Sequence, residues 1–133
     1  MLVLIAEDEV LIGMMLEADL GQAGYRVAGP ASTCAEALRI AAAEPPDLAL
    51  VDITLDGERS GVELARVLRD RHGTACIFLT AQPELADEAR DAALGVIAKP
   101  YDPADLVQGI GYAGEVRRGT PPAAVPRGLT LFR

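Results

Sequence analysis

The sequence predicts an α/β domain in which a parallel sheet is covered by helices on both faces. Short apolar runs suited to strands alternate with segments of helical periodicity, and five such pairs follow one another along the 133 residues. This alternation is typical of strands joined by right-handed crossovers. We therefore expect a flavodoxin-like, doubly wound (βα)5 three-layer sandwich with strand order 2-1-3-4-5.

Composition and charge narrow the class of protein. Half of the residues are apolar and only 4% are aromatic, which predicts an aliphatic core. The formal net charge is -8, and because residues 115–133 hold four arginines against one glutamate, residues 1–114 carry -11. Such an acidic body argues against nucleic-acid binding. We see no apolar run long enough to span a bilayer and no secretory signal, so we expect a cytoplasmic protein.

The first half of the chain contains two predicted strands and two helices. Leu2–Ala6 is a continuous apolar run, as in a strand buried on both faces. Residues 25–29 form a second short strand, and Ser32 or Thr33 begins the second helix, with Glu36 placed as in a capping box. The first helix is expected to bury one apolar face, formed by Val10, Leu11, Met14, Met15, Ala18 and Leu20.

The second half continues the alternation. Residues 47–51 form a strand that leads into Asp52, and residues 62–68 belong to a helix that Gly73 ends. The remaining elements are a strand over residues 75–79, a weak helix over residues 84–92, a strand over residues 95–98 and a last helix that starts at Asp102-Pro103.

Polar side chains directly follow four of the predicted strands. In a parallel sheet the carboxyl ends of the strands share one edge, where ligands bind. Carboxylates at that edge repel each other unless a hard cation such as Mg²⁺ lies between them. A carboxylate can also attack phosphorus, and a nearby lysine can neutralise the transferring group. The residues concerned are Glu7, Asp8, Asp52, Thr80 and Lys99.

Lys99 is the only lysine among the twelve basic residues. Its position at the end of a strand could be a coincidence of composition. We favour a functional interpretation, because a compact ammonium suits a phosphoryl contact and an arginine fork is not equivalent.

Four motifs in the expected order resemble those of response-regulator receiver domains of two-component signalling. Each motif lies at the end of a predicted strand. The resemblance as a whole extends over residues 2 to about 117, nearly the whole chain. The resemblance predicts a receiver domain over residues 1–118 and an extended or flexible tail over residues 119–133. The motifs are Leu4-Ile5-Ala6-Glu7-Asp8-Glu9, Leu50-Val51-Asp52-Ile53, Phe78-Leu79-Thr80-Ala81 and Ala98-Lys99-Pro100-Tyr101.

The resemblance implies specific roles for these residues. Asp52 would accept a phosphoryl group from a histidine kinase or phosphotransfer protein, and Thr80 and Lys99 would contact that group. The Mg²⁺ ligands would be Glu7, Asp8, Asp52 and the backbone carbonyl of Thr54. The output of a stand-alone receiver would be contact with an unknown downstream protein, and a homodimer stays open.

The sequence departs from the usual receiver pattern in three places. The switch aromatic normally lies three residues before the lysine, which here is Val96; Tyr101 could replace it or be an ordinary packing residue. Thr80 and Lys99 are only 19 positions apart, so the fourth helix should be short or irregular. Asp56 stands where a proline is common, in a loop (residues 55–61) that resembles receivers related to those of the bacterial general stress response.

Two other classes of function remain as alternatives. One is an enzyme of similar sheet architecture, such as an aspartyl-phosphate phosphatase or a nucleotide-binding protein, and the other is a degenerate receiver that acts as a constitutive interaction module. Residues 109–114 fit the pattern G-x-G-x-x-G, which is typical of dinucleotide-binding loops. Such a loop directly follows a strand, and these residues do not, so we expect only a last helix loosened by glycines.

Overall fold

The computed structural model describes residues 1–57, 60–122 and 124–132. Within this part of the chain, a six-stranded sheet lies between helices on its two faces. The strands are β1 (Leu2–Ala6), β2 (Arg26–Ala31), β3 (Leu48–Asp52), β4 (Ala75–Thr80), β5 (Gly95–Ala98) and β6 (Leu129–Leu131). The α-helices are α1 (Val10–Gln22), α2 (Cys34–Ala43), α3 (Ser60–His72) and α4 (Pro103–Arg117), and 3-10 turns occupy Leu55–Gly57 and Pro83–Ala89.

The strand order is β2-β1-β3-β4-β5-β6, and neighbours among the first five strands are parallel. The predicted fold class and the order 2-1-3-4-5 are therefore confirmed. The sixth strand is a feature that the sequence did not predict. It pairs antiparallel with β5, with Leu131 opposite Gly95 and Leu129 opposite Ile97, so the tail returns to the sheet.

The core is aliphatic, as the composition predicts, and has one layer on each face of the sheet. Leu4, Val51 and Phe78 point to the face that α2 and α3 cover. Ile5, Leu50 and Ile77 point to the opposite face, against Leu16, Leu20, Leu106 and Ile110 of α1 and α4. Strands with both faces buried read as continuous apolar runs, which is why β1, β3 and β4 could be placed from the sequence.

The predicted buried face of α1 is wrong. Of the predicted residues only Leu20 is buried, together with Gly13 and Leu16. The exposed ones are Val10, Leu11, Met14, Met15 and Ala18. Apolar residues surround α1 on nearly all sides, so their spacing alone does not select the face that meets the sheet. The helix thus leaves an apolar surface uncovered beside the carboxyl edge of the sheet.

The segment between β4 and β5 contains no α-helix and forms a 3-10 turn over Pro83–Ala89. The expected α-helix over residues 84–92 is therefore wrong in type, whereas the expectation of a short or irregular element is confirmed. Ala86 and Ala89 are buried against the core, so the segment still closes this face of the sheet.

Helix caps follow the sequence signals closely. Thr33 Oγ1 accepts a hydrogen bond from the Glu36 backbone N–H at 3.1 Å, and the Glu36 carboxylate accepts one from Ser32 N–H at 2.6 Å. Asp102 caps α4 by accepting from the Ala104 N–H at 2.8 Å.

None of the helices in the described part of the chain has the length and apolar character that crossing a bilayer requires.

Candidate phosphoryl-acceptor site

Asp52 and Lys99 face each other at the carboxyl edge of the sheet. Asp52 is the last residue of β3, and Lys99 directly follows β5. Lys99 Nζ lies 3.2 Å from Asp52 Oδ2, and it also contacts Glu9 Oε2 at 3.0 Å. Both strands end at this edge because the sheet is parallel, so two residues 47 positions apart meet in one site.

Thr54 holds the second oxygen of the Asp52 carboxylate. The Thr54 backbone N–H and Oγ1 both donate hydrogen bonds to Asp52 Oδ1 at 3.0 Å. Burial alone would raise the pKa of Asp52, but the Thr54 hydrogen bond, the neighbouring Glu7 and the Lys99 ammonium bring the pKa below its usual value. The carboxylate is therefore ionised at neutral pH although its residue is buried.

Glu7 is a buried carboxyl group beside Asp52. Its Oε1 forms an ion pair with the Lys99 ammonium, 2.5 Å from Nζ. Burial raises the pKa of Glu7 to about 7, against the opposing effect of Lys99. Burial by itself would lower the pKa of Lys99. The carboxylates of Glu7, Glu9 and Asp52 outweigh this effect, and the pKa of Lys99 is raised.

The acidic residues fit a divalent metal ion. Glu7, Asp8 and Asp52 each offer a carboxylate oxygen within 4.8 Å of the others. Oxygen ligands of this kind suit Mg²⁺, and the buried Glu7 carboxylate is at present paired with the Lys99 ammonium. Asp8 is exposed, so the group opens to solvent on one side. The predicted acidic ligands are thus brought together. Thr54 lines one cavity with Asp8 and Asp52.

The cavity over Asp52 has a volume of about 370 Å³. Thr80, the last residue of β4, lies on the side away from the acidic group, and its Oγ1 accepts a hydrogen bond from the Gln82 N–H at 3.0 Å. The residues that line the cavity include Asp8, Glu9, Asp52, Thr54, Thr80 and Lys99. All of the strand-end residues proposed from the sequence therefore surround or adjoin one space.

The start of α3 lies against the backbone of the acceptor residue. The Gly61 N–H donates to Ile53 O at 3.2 Å. A Cβ at Gly61 would lie 2.0 Å from Asp52 O, so only glycine allows this approach. The preceding loop bends at Asp56, which has a φ of 64° and accepts a hydrogen bond from the Cys34 N–H at 3.0 Å. Glu58 and Arg59 of the loop lie outside the described residues.

Neither Val96 nor Tyr101 lies in the cavity. Val96 is buried in the middle of β5, opposite Phe78 and Thr130. The Tyr101 hydroxyl donates to Asp19 Oδ2 of α1 at 3.1 Å, and its ring packs on the α1 and α4 side of the sheet. Of the two interpretations of Tyr101, this arrangement favours a packing residue.

Glu9 is a site residue that sequence reasoning did not assign. Its carboxylate contacts Lys99, and its backbone N–H donates to Glu7 Oε2 at 3.1 Å. It belongs to the same strand-end motif as Glu7 and Asp8, so its position was available in the sequence. The sequence gives it no role, because the end of a strand does not determine the direction of a side chain one position past the ligand pair.

The family follows from the comparison with known proteins. Residues 3–111 match the model of the response regulator receiver domain. The chain belongs to this family, as its strand-end motifs predict. Receiver domains of response regulators interact with histidine kinases and downstream effectors, and they are generally signalling proteins rather than enzymes. The comparisons favour neither alternative class of function.

Two curated relatives illustrate the similarity. The transcriptional regulatory protein PdtaR of Mycobacterium tuberculosis is 37% identical over 114 residues, which cover 84% of this chain and 55% of that protein. The phyllosphere-induced regulator PhyR of Methylorubrum extorquens is 41% identical over 107 residues, which cover 78% of this chain and 40% of that protein. The chain thus spans about half the length of these relatives.

A solved receiver structure agrees over nearly its whole length. The signal receiver domain of a modulated diguanylate cyclase from Desulfovibrio desulfuricans G20 superposes with a TM-score of 0.80 at 35% identity. The match covers 88% of this chain and 95% of that one. The predicted flavodoxin-like receiver fold is confirmed by this neighbour.

Proposed function

We propose that this chain accepts a phosphoryl group on Asp52 and thereby relays a two-component signal. The observation that supports this most directly is the pairing of Asp52 and Lys99 in an open cavity. One carboxylate oxygen is held by two donors of Thr54, and the other faces the Lys99 ammonium at 3.2 Å. A nucleophile fixed in this way and flanked by a cation suits phosphoryl transfer.

In the proposed reaction, a carboxylate oxygen of Asp52 forms a bond to the phosphorus of a phosphohistidine while the phosphorus–nitrogen bond of the donor breaks. The products are an aspartyl phosphate on this chain and an unmodified histidine on the donor. Because the pKa of Asp52 is lowered, the carboxylate is ionised at neutral pH and needs no separate base. Any catalysis by the chain is then limited to its own phosphorylation and dephosphorylation.

Mg²⁺ is the cofactor we propose. Glu7, Asp8, Asp52 and the backbone carbonyl of Thr54 would hold it, and the bound ion would supply positive charge to the transferring group. Three carboxyl groups around a phosphoryl group of the same sign would otherwise oppose the transfer. The carboxylate ligands would hold the ion in place, since β1 and β3 end at this edge of the sheet and put all three carboxylates there.

Lys99 and Thr80 would bind the phosphoryl oxygens after transfer. Lys99 already lies within contact distance of the acceptor, so it can turn from Glu7 and Glu9 toward the new negative charge. Thr80 accepts its hydrogen bond from Gln82 through Oγ1, which leaves the hydroxyl hydrogen to donate to a phosphoryl oxygen.

The partners follow from this reaction. We propose a histidine kinase or phosphotransfer protein as the donor and a downstream protein as the receiver of the signal. A cytoplasmic location and the absence of nucleic-acid binding and membrane insertion stay predictions, and so does a homodimer. The domain boundary after residue 118 is likewise a proposal.

Acetyl phosphate provides a direct test. We expect the full chain incubated with Mg²⁺ and acetyl phosphate to gain the mass of one phosphoryl group, and a chelator to prevent the gain. Asp52→Asn should abolish it. Asp56→Asn is the matched control, because Asp56 is an exposed carboxylate in the next loop and asparagine also accepts its positive φ. A mass gain that persists in Asp52→Asn would overturn the proposal.

A further inference from the structure

The chain's own C-terminal segment, Leu129–Phe132, covers the outer edge of β5. Leu129, Thr130 and Leu131 pair antiparallel with β5, and the Phe132 N–H donates to Leu94 O at 2.9 Å. Without this segment, the backbone donors and acceptors on the outer edge of β5 would lack strand partners. An unpaired strand edge is a template for another extended chain.

The C-terminal segment is anchored on both faces of the sheet. Leu129 is buried on the α4 side, where it belongs to the same core layer as Ile97. Phe132 packs on the other side, with its ring centroid 6.4 Å from that of Phe78 and the Arg90 guanidinium 5.6 Å above its ring. Backbone pairing together with side-chain pockets on both faces defines a strand-binding groove rather than a featureless edge.

Two glycines shape this groove. A Cβ at Gly95 would lie 2.4 Å from Thr130 O, so a side chain there would push the paired strand away. A Cβ at Gly109 would lie 3.2 Å from Ile97 Cδ1 and 3.8 Å from Leu129 Cβ, which makes this position a close contact between α4 and the edge. Gly109 opens the G-x-G-x-x-G stretch, so that glycine serves packing within the chain.

The C-terminal segment is short and lies at the periphery of the sheet. Its strand is three residues long, and Thr130 is exposed. Residues 118–128 connect it to α4 without a regular element in the described residues, and the Arg127–Asp105 ion pair at 3.5 Å is largely exposed on the arginine side. Short, peripheral strands open at a small fraction of the global free energy of unfolding.

We propose that this groove is a binding site for an extended segment of a partner protein, and that Leu129–Phe132 is the occupant that such a segment displaces. The partner segment would carry two leucine-like residues two positions apart, for the α4 side, followed directly by an aromatic residue for the pocket beside Phe78 and Arg90. The proposal does not depend on phosphorylation of Asp52.

A second copy of the chain is a less suitable occupant. Exchange between two copies breaks one intramolecular pairing for every intermolecular pairing formed, and a short linker keeps the chain's own segment at an effective concentration on the order of millimolar. A partner without a groove of its own loses no such pairing. It can also add contacts beyond the four residues seen here.

The test uses a fluorescent peptide with the sequence of residues 126–132 (Pro-Arg-Gly-Leu-Thr-Leu-Phe). We expect it to bind the full-length double variant Leu129→Asn/Phe132→Ala, in which the resident segment is weakened, at least tenfold more tightly than the unaltered chain. A peptide with the same two substitutions should not bind. Adding Gly95→Ala to the double variant should abolish binding, because the new methyl group obstructs any strand at β5. The readout is fluorescence anisotropy.

Equal affinity for the unaltered chain and the double variant, or no binding to a folded double variant, would overturn the proposal. If the double variant fails to fold, hydrogen exchange on the unaltered chain decides. Excess unlabelled peptide should speed exchange of the Phe132 amide, and an unchanged rate contradicts displacement. A dimer of the unaltered chain that Phe132→Ala dissociates would show exchange between copies and would also overturn it.

Discussion

At the residue scale, the site depends on groups whose charge is set by their neighbours. Glu7 and Asp52 are adjacent buried carboxyl groups, yet the pKa of Glu7 is raised to about 7 and that of Asp52 is lowered. Burial dominates at Glu7, whereas at Asp52 the Thr54 hydrogen bonds and Lys99 outweigh it. The interaction between the two carboxyl groups also raises the pKa of Glu7 and lowers that of Asp52. The acceptor is thus the member of the pair that stays ionised.

Tyr101 yields a prediction about alkaline pH. Burial and then the Asp19 carboxylate raise the pKa of Tyr101 to about 12. The side chain of an unfolded tyrosine ionises at about pH 10. The stabilising contribution of Tyr101 is therefore complete below pH 10 and is lost as the pH rises from 10 to 12. Tyr101→Phe should cost about 1 kcal/mol of unfolding free energy at pH 8 and flatten the alkaline decline, as measured by urea unfolding.

Asp19→Asn provides the control for this interpretation. It removes the charge that faces the Tyr101 hydroxyl but keeps a polar partner, so the phenol should ionise at a lower pH than in the unaltered chain. The absorbance of phenolate reports this directly when compared with Tyr101→Phe. If Tyr101 ionises at the same pH in Asp19→Asn as in the unaltered chain, the contact of its hydroxyl with Asp19 is contradicted.

The strand-end residues could be predicted from the sequence because a parallel sheet converts chain order into spatial neighbourhood. Asp52, Thr80 and Lys99 each follow a buried apolar run, so their meeting required only the strand order. Their proposed roles remain predictions that labelling must test. The contact of Glu9 with Lys99 could not be predicted, since it depends on a side-chain rotamer and not on the position of a strand end.

At the element scale, two features escaped sequence analysis for different physical reasons. Helix α1 is apolar on nearly every side, so its buried face is decided by tertiary packing and not by periodicity. Strand β6 has only three residues and follows a proline-containing stretch, so local propensity gives it no signal. It is stabilised by the edge of β5, a partner that exists only after the rest of the sheet has formed.

Helix α3 gives a prediction about close approach. Gly61→Ala should lower the unfolding free energy by about 3 kcal/mol, because the new methyl group would overlap backbone atoms of Asp52 and Ile53 that cannot move independently of β3. Acetyl phosphate labelling of Asp52 should fall with it, since the start of α3 and the acceptor shift together. Urea unfolding and intact mass measure the two effects.

Gly21→Ala is the matched control for this substitution. Gly21 lies in the last turn of α1, and a Cβ there would have no neighbour within 4 Å. Because alanine is the better helix former, this variant should be stabilised by up to about 1 kcal/mol, with unchanged labelling. A similar effect of both substitutions would mean that α3 does not approach the acceptor as closely as the structure indicates.

At the scale of the whole molecule, four of the five exposed large apolar residues in the described part of the chain lie at the start of α1, beside the acceptor cavity. Val10, Leu11, Met14 and Met15 are 71%, 74%, 59% and 54% exposed, and α1 begins directly after the cavity residues Asp8 and Glu9. A protein donor must bring its phosphohistidine into this cavity, whereas acetyl phosphate can enter alone. The apolar surface of α1 therefore adjoins the path that a protein donor would take.

We expect this surface to distinguish the two donors. Leu11→Gln/Met15→Gln keeps good helix formers at exposed positions, so stability and acetyl phosphate labelling should stay within twofold of the unaltered chain. Transfer from a phosphorylated histidine kinase or phosphotransfer protein that labels the unaltered chain should slow about tenfold or more, because burying even one such side chain contributes roughly 1.5–3 kcal/mol. Val125→Gln, at an exposed apolar residue in the C-terminal region, should leave both rates unchanged. Equal slowing with both donors would mean that the substitutions disturb Asp52 itself, and equal rates with both would mean that the donor docks elsewhere on this chain.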